Sequence, residues 1–268
     1  MRSLQRIAHR GYAGAAPENT VAAARCAANH DADWVEIDVL PTGDDDVVVF
    51  HDSRLDGGNG SRGITDGSGV VWETPTTEVM DAEVLDSGET IPTLRMLCER
   101  LPADMGLNVE LKHCGALELR TETVLDPDTR DTRAAIWRPF VEDVLTALEG
   151  FSGEVLFSSF AEGALAALRT QAPSASLAPI VNQNVTAAFE LASRYDATAI
   201  HPSVRALGIR EPGSPDGSPT TRPIKRAHTE GYAVNVWTVR TWYQAHQLSI
   251  MNVDGLIADY PLSMAWRD

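Results

Sequence analysis

Short runs of apolar, largely β-branched residues alternate along the chain with longer stretches in which apolar positions recur every three to four residues. This alternation of strand and helix is what builds a parallel sheet. The apolar runs predict strands at 6–9, 34–39, 47–50, 107–111, 155–158, 176–180, 198–201, 233–237 and 255–258. Helical periodicity predicts helices near 20–29, 93–100, 133–148, 162–170, 185–193, 224–230 and 241–247. The run at 47–50 follows the run at 34–39 after little more than Pro-Thr-Gly-Asp-Asp-Asp. Such a link is too short for the crossover that parallel neighbours need, so these two should pair as an antiparallel hairpin. Eight strands with intervening helices remain, which fits an α/β fold of the (β/α)8 TIM-barrel type. An open doubly wound sheet is the alternative, because periodicity does not report closure.

Two stretches break the rhythm. Residues 53–91 are rich in Gly, Asp, Ser and Thr with little amphipathic pattern, and predict a small insertion over one barrel mouth, after the His51-Asp52 strand. Residues 203–222 predict a long mobile loop; either stretch could serve as a lid. Gly58-x-Gly60-x-x-Gly63 formally matches a dinucleotide fingerprint but neither follows a tight strand nor opens a helix, so it reads as flexible loop. At 268 residues the expectation is a single barrel domain, 1–268.

Within the strands, polar residues stand where a barrel should be apolar on both faces. In Trp34-Val-Glu-Ile-Asp-Val39, Glu36 and Asp38 project to one face, roughly 7 Å apart at about 3.3 Å per residue. In Asn108-Val-Glu-Leu-Lys112, Glu110 and Lys112 share a face in the same way. If Glu36, Asp38 and Glu110 converge at one mouth, each pair at about 4 Å repels by roughly 4 kcal/mol at an effective dielectric of 20. A hard divalent cation, Mg2+ or Ca2+, is a natural counter-charge for carboxylate oxygens; a structural network with arginine is the alternative.

Charge and composition narrow the function classes. The chain has 38 acidic against 22 basic residues, a formal net charge of -16, which repels nucleic acid and anionic membranes. Hydrophobic residues at 43% and charged residues at 22% are globular values that exclude a disordered chain. No run is long enough for a membrane span, and the start, MRSLQRIAHRG, holds no signal-like apolar stretch, so the expectation is a cytoplasmic protein. Cys26, Cys98 and Cys114 have no metal spacing and read as buried thiols. Lys112 and Lys225 are the only lysines, and an acidic, lysine-poor surface points to a halophilic protein. The midpoint of thermal unfolding should therefore rise from low to multimolar KCl, and a salt-independent midpoint would count against this reading.

His9-Arg10-Gly11 and His51-Asp52 close two of the strands. Histidine exchanges protons near neutral pH, and barrel mouths are where catalytic groups collect, so His9 and His51 are candidates for an acid and base pair. Arg10 could grip an anion. Pro17-Glu18-Asn19-Thr20 opens the first helix with Asn19 or Thr20 as its cap. Trp237 ends a strand where an aromatic wall could meet the carbon part of a ligand, or simply pack in the core. His113, Cys114 and His201 are ambiguous. There is no Gly-x-Ser-x-Gly elbow, P-loop or HExxH.

These segments, taken in order, resemble the glycerophosphodiester phosphodiesterase family. The resemblance rests on His9-Arg10-Gly11, Pro17-Glu18-Asn19-Thr20, Glu36-x-Asp38, His51-Asp52-x-x-Leu55, Ile91-Pro92-Thr93-Leu94, Glu110-Leu111-Lys112, Val236-Trp237-Thr238-Val239 and the run from Asp254 to Pro261. It implies a TIM barrel in which Glu36, Asp38 and Glu110 hold one divalent cation and His9 and His51 act as acid and base. It further implies phosphate contacts from Arg10 and Lys112 and a glycerol contact from Trp237, with a less definite part for Glu18. The implied reaction is hydrolysis of a glycerophosphodiester to glycerol phosphate and an alcohol. A lysophospholipase D-like activity on a larger lipid and a non-catalytic phosphate-binding barrel are the competing readings. The chain departs from the family pattern after Leu55, where the expected arginine is delayed to Arg62, at Arg240, which replaces asparagine, and at Ala258, which replaces threonine.

Overall fold

The computed structural model describes residues 3–115, 121–209 and 219–261. Its strands are β1 (Gln5–His9), β2 (Trp34–Pro41), β3 (Val47–Val49), β4 (Gly57–Gly58), β5 (Ser61–Arg62), β6 (Gly106–Leu111), β7 (Val155–Ser159), β8 (Ser176–Val181), β9 (Ala199–Pro202), β10 (Ala233–Val239) and β11 (Gly255–Ala258). Its helices are α1 (Val21–Asn29), α2 (Thr76–Asp81), α3 (Leu94–Cys98), α4 (Pro127–Ala147), α5 (Glu162–Gln171), α6 (Val185–Arg194), α7 (Arg222–Glu230) and α8 (Trp242–Ile250). Strands β1, β2 and β6 to β11 run parallel, and β1 pairs with both β2 and β11, which closes the sheet into an eight-stranded barrel. Strand β3 lies antiparallel to β2, with Val39 opposite Val49, as the short link demands.

Alternation along β2 sets the layers. Val35, Ile37 and Val39 face the helices and join a core that includes Leu107, Val109, Leu111, Trp137, Phe140 and Val144, while Glu36 and Asp38 take the other face and are also buried. Helix starts are fixed chemically: the side chains of Thr20, Thr93, Asp126, Asn184 and Thr241 each accept a backbone N–H of the first turn. Such caps contribute about 1 kcal/mol each. Two of them, Asn184 and Thr241, follow the ends of β8 and β10 within three residues and so also fix the path of the chain at that end of the barrel.

Three expectations need correction. Helix α4 begins at Pro127, not near 133, because Asp126 caps it and Pro127 suits the first turn, whereas its first two turns are too polar to show a period. The glycine-rich stretch is not an irregular loop: Gly57 and Gly58 pair with Arg62 and Ser61 as the hairpin β4–β5. Nor is the 53–91 insertion without apolar order. Leu55, Val71, Val79, Ala82, Val84 and Ile91 pack on Leu40, Val48 and Phe50 as a small core of their own. The start of the predicted 203–222 loop is tied down, with Val204 N–H on the Trp237 carbonyl at 2.7 Å and Leu207 and Ile209 buried; its 210–218 segment lies outside the described residues. Among the described residues no helix is long and apolar enough to cross a membrane.

Candidate active site

Strand register assembles the site. Pairing of β1 with β2 sets His9 beside Glu36, and pairing of β2 with β6 sets Asp38 beside Glu110. Pairing of β1 with β11 aligns Ala8 with Ala258, so His9 and Asp259 leave adjacent strands side by side. One oxygen from each of Glu36, Asp38 and Glu110 lies within 4.8 Å of the others, and all three residues are buried.

The turn after β1 is shaped to serve this cluster. Arg10, Gly11, Tyr12 and Asn19 have φ of 51°, 78°, 68° and 59°, and left-handed backbone costs a residue with a side chain about 1–2 kcal/mol. Hydrogen bonds to the acids offset that strain: Arg10 N–H donates to Glu36 Oε2 at 2.9 Å, and Asn19 Nδ2 donates to Asp38 Oδ2 at 2.9 Å. Gly11 has no alternative, since a Cβ there would come within 2.5 Å of the Ala23 carbonyl carbon.

Two cations sit among the acids. Lys112 Nζ donates to Glu110 Oε1 at 2.8 Å and is 3.4 Å from Asp38 Oδ1; Arg10 Nε is 3.0 Å from Asp38 Oδ2. Burial opposes ionisation of Asp38, but Lys112, then Arg10 and His51, outweigh it and hold its pKa well below the usual carboxylate range. Glu36 goes the other way: burial, then the charges of Asp38 and Glu110, push its pKa well up. Ionised together, the three carboxylates would leave one negative charge over against Arg10 and Lys112, and the raised pKa of Glu36 removes it by protonation. Asp38 Oδ1 is buried and accepts no hydrogen bond. An all-oxygen donor set that reaches its full charge only beside a further cation, with an Asp38 oxygen that accepts no hydrogen bond, fits a hard dication.

Both histidines are oriented by aspartates. His9 Nδ1 is 2.5 Å from Asp259 Oδ1, and His51 Nδ1 is 2.6 Å from Asp52 Oδ1. Burial raises the cost of charging Asp52, yet the His51 hydrogen bond and Arg62 outweigh it and bring its pKa down to about 2. Asp259 is likewise held low against burial by His9 and Arg240. An ionised carboxylate only accepts, so each Nδ1 carries the proton and each Nε2 remains for chemistry. Burial lowers the pKa of His9 itself, Asp259 pulling the other way.

The remaining candidates fall in different places. Glu18 bridges Arg10 Nη1 at 2.8 Å and Arg62, which meets both its oxygens at 2.7 and 2.8 Å. Arg62 also reaches Asp52, so the delayed arginine arrives at the mouth by way of the β4–β5 hairpin. Trp237 packs edge-on against Phe160, 5.3 Å between centroids, and lines a small axial cavity with His9, Glu36, Glu110 and His201. His201 is buried, accepts from Asn235 Nδ2 at 3.0 Å, and is pushed by burial down to about 3. It is therefore neutral at physiological pH. His113 stacks on Trp72 at 4.0 Å, and burial takes it down to about 4. Thr20, not Asn19, caps α1. The aspartate partners of the histidines carried no assigned role in the sequence; the adjacency of Asp52 to His51 was a usable signal, whereas Asp259 required the barrel to close.

Known proteins resemble this chain over nearly its whole length. Residues 9–263 match the model of the glycerophosphoryl diester phosphodiesterase family. The Bacillus subtilis protein YhdW is 30% identical over 266 residues, covering 95% of this chain and 94% of its own. The glycerophosphodiester phosphodiesterase of Bacillus altitudinis is 26% identical, covering 95% and 94%. Among solved structures, a phosphodiesterase of Oleispira antarctica in complex with the product sn-glycerol-3-phosphate superposes with a TM-score of 0.77 at 28% identity, covering 96% of this chain and 93% of that one. The barrel, the order of its strand-end residues and these matches agree, and the chain belongs to the glycerophosphoryl diester phosphodiesterase family.

Proposed function

We propose that the chain hydrolyses glycerophosphodiesters to glycerol phosphate and an alcohol, with a divalent cation held by Glu36, Asp38 and Glu110 and with His9 and His51 as acid and base. The observation that carries this reading is the pair of histidines beside three buried carboxylates, each with Nδ1 fixed by an aspartate. A cation so held, Mg2+ or Ca2+, supplies Lewis acidity at a phosphoryl oxygen. Lys112 and Arg10 offset the charge that grows on the equatorial oxygens. One histidine takes the proton of the attacking oxygen, from a neighbouring glycerol hydroxyl or from water, and the other protonates the departing alkoxide. Trp237 bounds the glycerol portion. Glu18 holds Arg10 in place, and His201, neutral and buried, supports the floor of the site.

A lipid substrate would call for an apolar groove in the insertion. Leu55, Val71, Val79, Val84 and Ile91 are instead buried against one another, which favours small water-soluble diesters. The test is incubation with glycerophosphocholine, glycerophosphoethanolamine and glycerophosphoglycerol, with Mg2+ or Ca2+ and with chelator. Glycerol phosphate should be released from at least one of them and only when a cation is present. Tight phosphate binding without release from any would support the non-catalytic barrel instead.

A further inference from the structure

Two cavities meet at His9. The inner one, lined by Glu36, Glu110, His201 and Trp237, holds about 20 Å3, room for little more than a water molecule. The outer one, of about 620 Å3, opens at the mouth. A diester whose phosphorus lies at His9 therefore has room for its alcohol portion in the outer cavity and not in the inner one.

The outer pocket has an unusual charge. Its lining includes three arginines, Arg10, Arg62 and Arg240, against two carboxylates, Glu18 and Asp259, in a chain whose acidic residues outnumber basic ones 38 to 22. Arg10 is engaged by Glu18 and Asp38, and Arg62 by Glu18 and Asp52. Arg240 differs. Its Nε donates to Asp259 Oδ2 at 2.9 Å, its side chain is 65% exposed, and its two terminal nitrogens have no partner among the described residues. Beside it in the pocket is the half-exposed Tyr260, whose ring lies so close to Gly14 that a Cβ there would be 2.3 Å from Cζ.

The geometry points to the outer pocket as the subsite for the departing alcohol, with Arg240 as the residue that selects headgroups bearing their own anion, a second phosphate or a carboxylate, over cationic ones. The assignment rests on the hydrolytic reading above and adds the substrate class to it. A guanidinium with free terminal nitrogens gives bidentate, charge-assisted hydrogen bonds to such groups, while a quaternary ammonium in the same place meets like charge.

The experiment compares kcat/KM for glycerophosphocholine, glycerophosphoglycerol and a glycerophosphoglycerol carrying a terminal phosphate, at low ionic strength. The unaltered enzyme should favour the anionic over the cationic compound by about tenfold, the worth of one charge-assisted hydrogen bond. Arg240→Gln should bring that ratio close to one, Arg240→Lys should keep most of it, and Arg240→Glu should invert it. Because Arg240 also holds Asp259, and through it His9, Arg240→Gln lowers turnover of all three compounds together; that common loss cancels in the ratio. An unaltered enzyme without preference, or a ratio unmoved in Arg240→Gln, would overturn the subsite and leave Arg240 as a partner of Asp259. Hydrolysis of none of the three would overturn the proposed reaction instead, and the same ratio taken from dissociation constants would then decide the subsite.

Discussion

Alanine at His9 or at His51 lowers the turnover of a glycerophosphodiester by about a hundred- to ten-thousand-fold, the usual worth of a positioned acid or base, while the unfolding midpoint stays close to that of the unaltered chain. The expectation follows from the two dyads: with Nδ1 occupied by Asp259 or Asp52, the proton work of each ring falls to Nε2. The double alanine variant should be little worse than the poorer single one, because groups that act on one proton inventory are not additive. Changing the leaving group separates the roles. A p-nitrophenyl ester of glycerol phosphate departs without a proton, so it should restore turnover in the variant that has lost the acid and not in the one that has lost the base. Full activity in the double variant would remove both histidines from the mechanism.

Millimolar Mg2+ or Ca2+ should raise the unfolding midpoint by about 5 °C, the effect of a ligand about a hundredfold above its dissociation constant on a domain of this size, and chelator should reverse it. The rise should also grow with pH. Burial, then Asp38 and Glu110, push the Glu36 carboxyl well above its ordinary 4.5, so the folded chain without cation keeps a proton that the unfolded chain has released. The stability from this group is full below about pH 4.5 and is lost as the pH climbs through the raised value. A bound dication keeps the carboxylate charged in the folded state and removes that slope. Glu36→Gln should show neither the slope nor the cation-dependent rise. A midpoint indifferent to both ions from pH 5 to 8 would show that Arg10 and Lys112 alone balance the acids.

Much of this was legible in the chain, for a reason visible at β2. A parallel barrel strand is read as apolar on both faces, so Glu36 and Asp38 stand out as a local breach, and Glu110 with Lys112 repeats it. The hairpin of β2 and β3 followed from a link too short for any crossover. What the chain hid depends on closure and on irregular backbone. His9 and Asp259 are 250 residues apart in sequence, and only the pairing of β1 with β11 makes them neighbours. The core of the insertion escaped detection because Leu55, Val71, Val79 and Ile91 are brought together by turns, isolated bridges and two short helical turns, none of which imposes a period. Asn19 resembled a helix cap by composition; its left-handed backbone is what turns its amide toward Asp38.

The β4–β5 hairpin has one more consequence. Residues 53–91 pack around a small core that they share with Leu40, Val48 and Phe50, and Arg62 fastens them to Asp52 and Glu18 beside the proposed reaction centre. An appendage built in this way can drift in sequence across its outer surface without disturbing the chemistry beneath, so long as the guanidinium clasp and the apolar contact with Leu40, Val48 and Phe50 survive. New substrate ranges can thus arise by refitting the rim while the engine is left alone.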